Sequence, residues 1–232
     1  NIRLLNFGSS ARHSYRMIQH PFKNDFKNSS FFYLNNYLSF SNQIPTATAQ
    51  VLPRFAQSVY LNYKAPLGNV KGYQYLITGK LFLPGIGTTH SLNFSASYSQ
   101  KDTLNKIGFG NSFPFSRGYT AVNLHKMKGL QINYQLPLAY PDIGFANLAY
   151  LMRLRSNFFF DYTQIDAFTD KGEKWNRNFN SVGTELFFDT KWWNQVPVSF
   201  GFRYSRLLEK DLFGGSGSNR WEFIMPLNLF DR

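Results

Sequence analysis

The residues best suited to act together are an arginine and a distant aspartate. Arg117 stands in Ser116-Arg117-Gly118-Tyr119, and Asp161 stands in the run from Asn157 to Thr163, which is otherwise rich in phenylalanine. A guanidinium and a carboxylate can pair through two parallel hydrogen bonds, which fixes orientation as well as distance. Such a pair would hold a loop against a wall rather than make or break bonds. Each half also has a plainer reading. Arg-Gly-Tyr is a common tripeptide that serves a turn, with Gly118 supplying an unusual dihedral. Asp161 shares a strand face with Arg153, Arg155 and Asn157, where it would simply neutralise the two arginines. Spacing leaves both readings open.

Other chemistry is poorly supported. The histidines His13, His20, His90 and His125 carry no nucleophile motif, and His90 and His125 are too far apart in sequence to argue a metal pair. There are no cysteines, which excludes a disulfide scaffold and thiolate sites and suits an oxidising periplasm. Gly214 to Gly217 is glycine-rich, but no Lys-Ser/Thr helix start follows, so it reads as a hairpin loop. No catalytic residue, metal or cofactor is expected, and the chain is read as non-enzymatic.

What positions these side chains is a two-residue period repeated along the chain. Leu92, Phe94, Ala96 and Tyr98 alternate with serines and asparagine; Leu130, Ile132, Tyr134 and Leu136 with Gly129, Gln131, Asn133 and Gln135; Val198, Phe200, Phe202 and Tyr204 with Ser199, Gly201, Arg203 and Ser205. From 145 to 163, Leu148, Tyr150, Met152, Leu154, Phe158, Phe160 and Tyr162 oppose Arg153, Arg155, Asn157 and Asp161. Weaker strands fit near 29–41, 55–65, 72–83, 178–190 and 218–230, with one more over 1–8, making nine or ten. Many are about 10 residues or longer, the length of tilted membrane strands, whereas soluble strands average nearer 5–6. Aromatics such as Tyr140, Tyr162, Trp192, Trp193 and Trp221 gather near strand ends, where an interfacial girdle would lie. Short turns at 84–87, 140–144 and 193–196 contrast with longer segments at 42–54, 101–126, 165–177 and 209–217, as periplasmic turns contrast with extracellular loops.

The expected fold is all-β, a transmembrane antiparallel barrel occupying 1–232 as one domain, with Arg153, Arg155 and Asn157 facing the lumen. A net charge of +12 allows nucleic acid, anionic lipid or lipopolysaccharide phosphate as partner. Nucleic acid is disfavoured, because the aromatics alternate along whole strands like a lipid-facing belt instead of forming a platform. Outer-membrane lipid and lipopolysaccharide are the expected surroundings.

On Ser116-Arg117-Gly118-Tyr119 and Phe159-Phe160-Asp161-Tyr162-Thr163, the chain resembles the BamA-type family of outer-membrane assembly factors and their relatives in two-partner secretion. In that family a sixteen-stranded barrel folds its sixth extracellular loop into the lumen. An arginine in a Val/Ile-Arg-Gly-Phe/Tyr motif there meets an aspartate in a Phe-x-Asp-x-Gly motif two strands later. The resemblance covers mainly 113–230, with five strands after the loop in both. It implies a lumenal loop clamp of Arg117, Gly118, Tyr119 and Asp161. It also implies a lateral seam on the last strand, with Trp221, Phe223 and Phe230, and client outer-membrane proteins or other envelope subunits as partners. Six or seven upstream strands would be missing; a closed ten-stranded barrel is the competing account. The chain departs from the family at Ser116, usually aliphatic, at Thr163, usually glycine, and at Asn133, often a glutamate. A passive pore, receptor or anchoring barrel remains the alternative function, and a soluble β-sheet binding protein a third.

Overall fold

A computed structural model describes residues 2–16, 29–45, 52–69, 71–102, 109–110, 112–146, 148–168, 173–193, 195–212, 214–215 and 217–225. The described residues form one antiparallel sheet: β1 (Ile2–Arg16), β2 (Ser29–Gln43), β3 (Ala56–Pro66), β4 (Gln74–Pro84), β5 (Ser91–Lys101), β6 (Lys126–Ala139), β7 (Ile143–Phe145), β8 (Ala149–Phe168), β9 (Lys174–Trp192), β10 (Val196–Leu207) and β11 (Asn219–Ile224). Strands pair in chain order, except that the short β7 pairs with β8 beyond the end of β6. Among the described residues the expected nine or ten strands are eleven, because the three-residue β7 is set off from β6 by Tyr140, Pro141 and Asp142, the last with φ 54°. Pro141 has no N–H to offer the ladder in that gap, while a bulge between Pro137 and Ala139 lies inside β6, whose pairing resumes at Ala139 and Leu154.

Among the described residues the sheet is open, with β1 and β11 as its edges. These strands do not make the closed ten-stranded barrel that was the competing account.

Side-chain burial runs opposite to that of a water-soluble sheet. On β8, Asn157, Phe159, Asp161, Thr163 and Ile165 are buried, while the intervening Phe158 is 53% exposed. On β9, β10 and β11, Ser181, Glu185, Asp189 and Ser205 are buried, while Phe202, Trp221 and Phe223 are exposed. The dyad pattern thus turns apolar side chains outward and folds its polar partners under cover.

Three expectations about connections are corrected. The segment 165–177 is mostly strand: β8 and β9 are 20 and 19 residues long and pair as far as Phe168 and Lys174. Polar residues such as Asp166 and Arg177 hid this extension, yet a backbone ladder needs no apolar side chains to continue. The turn expected at 140–144 lies at 145–149, where Leu148 N–H donates to Phe145 O and Ala146 has φ 47°, a hairpin-type geometry. Finally, strict up-and-down pairing puts the end of β2 and the start of β3 with the short turns, where Ile44 N–H donates to Phe55 O and Ser91 Oγ to Pro53 O. The connection 67–73, not 42–54, shares the end of the long 102–125 loop.

Candidate functional site: a strap clamped across the polar face

The 102–125 loop does not stay at its end of the sheet. Its described part lies along the polar face and touches strands from β2 to β10. Phe109 packs on Phe31 and Tyr33 of β2, with ring centroids 5.8 and 5.1 Å apart. Lys64 of β3 donates to Gly110 O, and Lys101 of β5 to Asn123 O. Farther along, Tyr119 reaches β9 and the end of β10: its hydroxyl lies 2.8 Å from Asn180 O and accepts from Glu209 N–H at 3.0 Å. Burial, with Glu209 and Asp211 close by, pushes the Tyr119 phenol up to about 12, so it stays a donor. Beneath this strap lies a small apolar core of Leu76, Phe113, Tyr119, Met127, Ile165, Phe179 and Leu207. Met127, Ile165 and Phe179 are at most 1% exposed. Each such burial stabilises the docked strap by about 1.5–3 kcal/mol.

At the strap's turn stands Arg117. Its Nε donates to Asp161 Oδ2 and its Nη2 to Asp161 Oδ1, both at 2.7 Å, and its own backbone N–H donates to Oδ2 at 2.9 Å. The guanidinium lies 3.7 Å over the Phe159 ring. Nη2 also donates to Asn133 Oδ1 at 2.7 Å, and Nη1 is 3.4 Å from Glu185 Oε2. Burial alone would push this guanidinium's pKa down. The hydrogen bonds and charge of Asp161, joined by Glu185, outweigh that and hold it above its ordinary value. Desolvating such a pair is costly, and only dense hydrogen bonding offsets it. The next residue, Gly118, has φ +83°, and a Cβ there would meet Ser205 Cβ at 2.8 Å. Only glycine turns the strap at this point without strain or collision.

The structure brings Arg117, Gly118, Tyr119 and Asp161 together at the strap's turn. Asp161 is taken by the strap; Arg153 and Arg155 instead share Asp189, at 2.8 and 3.1 Å, with Ser199 Oγ donating to the same carboxylate. All three lie on the polar face, as does Asn157, which donates to Asn133 and to Glu185 Oε2 at 2.6 Å. Trp221 and Phe223 sit apart from the clamp on the exposed apolar side of β11, packed on Tyr204 and Phe202. Phe230 lies outside the described residues. His13, His90 and His125 each face a hydrogen-bond partner in a different place: Ser30, Tyr134 and Lys101 O.

Asn133, Ser116 and Thr163 each find partners around the clamp. Asn133 keeps a contact to Arg117 as a neutral acceptor, and the second carboxylate comes from Glu185, one strand beyond Asp161. Ser116 and Thr163 bind each other. Ser116 N–H donates to Thr163 Oγ1 at 3.1 Å, the two hydroxyls are 2.8 Å apart, and Ser116 Oγ is 2.8 Å from Phe179 O. Both side chains are at most 2% exposed. Thr163→Val keeps the shape but orphans a buried N–H, so strap stability is expected to fall by about 1–3 kcal/mol. Adding Ser116→Ala should cost less than its separate effect, since the pair acts as a unit. Urea titrations of the single and double variants in lipid vesicles measure this.

Sequence reasoning missed Glu185, Asp189, the Phe159 platform and the Ser116–Thr163 pair. Parity offered a signal for the first three, since Glu185 and Asp189 are odd-numbered like the inward residues of β9, and Phe159 has the parity of Asp161. Compared with known proteins, the chain matches no family model, no curated protein and no solved structure.

Proposed function

We propose that this chain is part of an outer-membrane β-barrel of the BamA-like class, working in the insertion or translocation of other outer-membrane proteins. The observation that carries the reading is the strap folded onto the polar face and clasped by Arg117 to Asp161. It is supported by the outward apolar belt, which in water would expose Phe158, Phe202 and Trp221 and in lipid would meet acyl chains. The scattered positive charge would meet lipopolysaccharide phosphates. The role is mechanical: the strap fills the polar face, and the sheet edge offers backbone N–H and C=O groups to a client strand by β-augmentation. Such groups are costly to leave open in lipid, so an edge there is reactive toward a partner strand. Glu222 of β11, which among the described residues pairs only with β10, marks that edge.

The test is a photo-activated cross-linker at Glu222 in cells exporting outer-membrane proteins. Adducts with client barrels are expected. Adducts confined to lipid, together with steady single-channel conductance in planar bilayers, would instead assign the passive pore or anchor.

A further inference from the structure

A chain of alternating charges runs from the clamp across the sheet to its edge. Asp161 holds Arg117, Arg117 approaches Glu185, Glu185 Oε1 accepts from Arg203 Nε at 2.6 Å, and Arg203 Nη1 donates to Glu222 Oε2 at 3.0 Å. The register explains the alignment: Asn157, Glu185, Arg203 and Glu222 are successive cross-strand partners on β8, β9, β10 and β11. The Glu185 side chain is only 5% exposed and sits between two cations, one from the strap and one from β10. Arg203 in turn sits between two carboxylates, one buried and one at the edge. A second contact runs in parallel: Thr120 of the strap donates to Asp211 Oδ2, which lies 3.9 Å from Arg220 Nη2 of β11.

We propose that Glu185 is a positioning residue shared by the strap and β11, so that docking of the strap tightens the terminal strand and release loosens it. With Arg117 in place, Glu185 is satisfied without all of Arg203, which is free to reach Glu222. When the strap leaves, Arg203 is the cation remaining at the buried Glu185 among the described residues, so Glu185 draws that guanidinium inward and Glu222 loses its partner. β11 has six residues and, among the described residues, one neighbouring strand, so it belongs to the low-stability end of the sheet, where a small change in charge moves the open population. The coupling must also run backward: whatever loosens β11 loosens the strap by the same factor. The inference rests on the proposed role of β11 as the working edge, and it adds what regulates that edge.

Amide hydrogen exchange on the whole chain in lipid nanodiscs tests it, following strap residues 113–120, edge residues 219–224 and, as reference, β3 and β4. Glu185→Gln leaves Arg203 to Glu222, so strap release by Asp161→Ala is expected to speed β11 exchange several-fold in the parent chain but not in the Glu185→Gln background, with the reference strands unchanged, and Glu185→Asp is expected to restore most of the response. Glu222→Gln removes an exposed partner, and its expected effect on strap exchange is about two- to five-fold, the size of an exposed ion pair. If strap release by a change at Asp161 leaves β11 exchange as it was, or if Glu222→Gln leaves the strap as protected as before, the coupling is wrong. These two outcomes hold even if Glu185→Gln fails to fold. Client cross-linking at Glu222 is a separate readout, so coupling without adducts would sink the proposed function alone, and adducts without coupling would sink this inference alone.

Discussion

Replacing Asp161 with alanine is expected to free the strap while leaving the sheet paired. The carboxylate accepts three hydrogen bonds from Arg117, two from the guanidinium and one from the backbone. Asp161 is fully buried and the Arg117 side chain is 14% exposed, so removing the acid strands a cation away from water. Breaking a buried pair by deleting one partner costs about 3–5 kcal/mol. Glu185 at 3.4 Å and Asn133 at 2.7 Å retain part of the site, which places the effect nearer the lower figure. Strap amides should then exchange on the order of 10²–10³ times faster, by the usual 1.4 kcal/mol per decade. The ladder between β6 and β8 does not use the Asp161 side chain, so amides there should keep their protection. A strap that stays protected in Asp161→Ala would mean that the apolar core under it, not the clasp, holds it down.

The other large effect is expected at Gly183. Asn133, Phe159, Gly183 and Ser205 are successive partners across β6, β8, β9 and β10, and the missing side chain at Gly183 leaves the space into which the Phe159 ring leans. A Cβ there would lie 2.0 Å from Tyr204 O and 2.6 Å from Phe159 Cζ. The carbonyl belongs to the backbone of the neighbouring strand, so it cannot swing aside as a side chain would. Gly183→Ala is expected to cost about 1–3 kcal/mol or more by overpacking. It should also tilt the ring on which the Arg117 guanidinium rests, loosening the strap as well as the sheet. Gly79→Ala is the matched control: it is also a mid-strand glycine, but a Cβ there meets nothing within 4 Å, and its effect should be neutral or slightly stabilising. Equal urea midpoints for the two variants in lipid vesicles would rule out the close-packed stack.

The all-β class, most strand positions and which side chains share a face were legible along the chain, because a pleated strand alternates strictly and the alternation can be read residue by residue. The same parity already held the inward positions of Met127, Ile165 and Phe179, though as isolated apolar residues among polar ones they carried no meaning until the strap covered them. It was weaker where local chemistry and pairing disagree. Polar residues around 165–177 read as loop although β8 runs to Phe168 and β9 starts at Lys174, and the expected turn at 140–144 left no room for β7.

Which side chains became partners depended on the three-dimensional arrangement. Asp161 had two candidate cations in its own strand and chose neither; Asp189, from the next strand, took Arg153 and Arg155 and left Asp161 for the strap. Ser116 with Thr163, and Glu185 with Arg117 and Arg203, likewise became pairs only once register and loop path were fixed. Strand periodicity is a property of neighbouring residues, and so it is written in the chain. An ion pair depends on which distant segments arrive at one place, and that is set by the folded sheet.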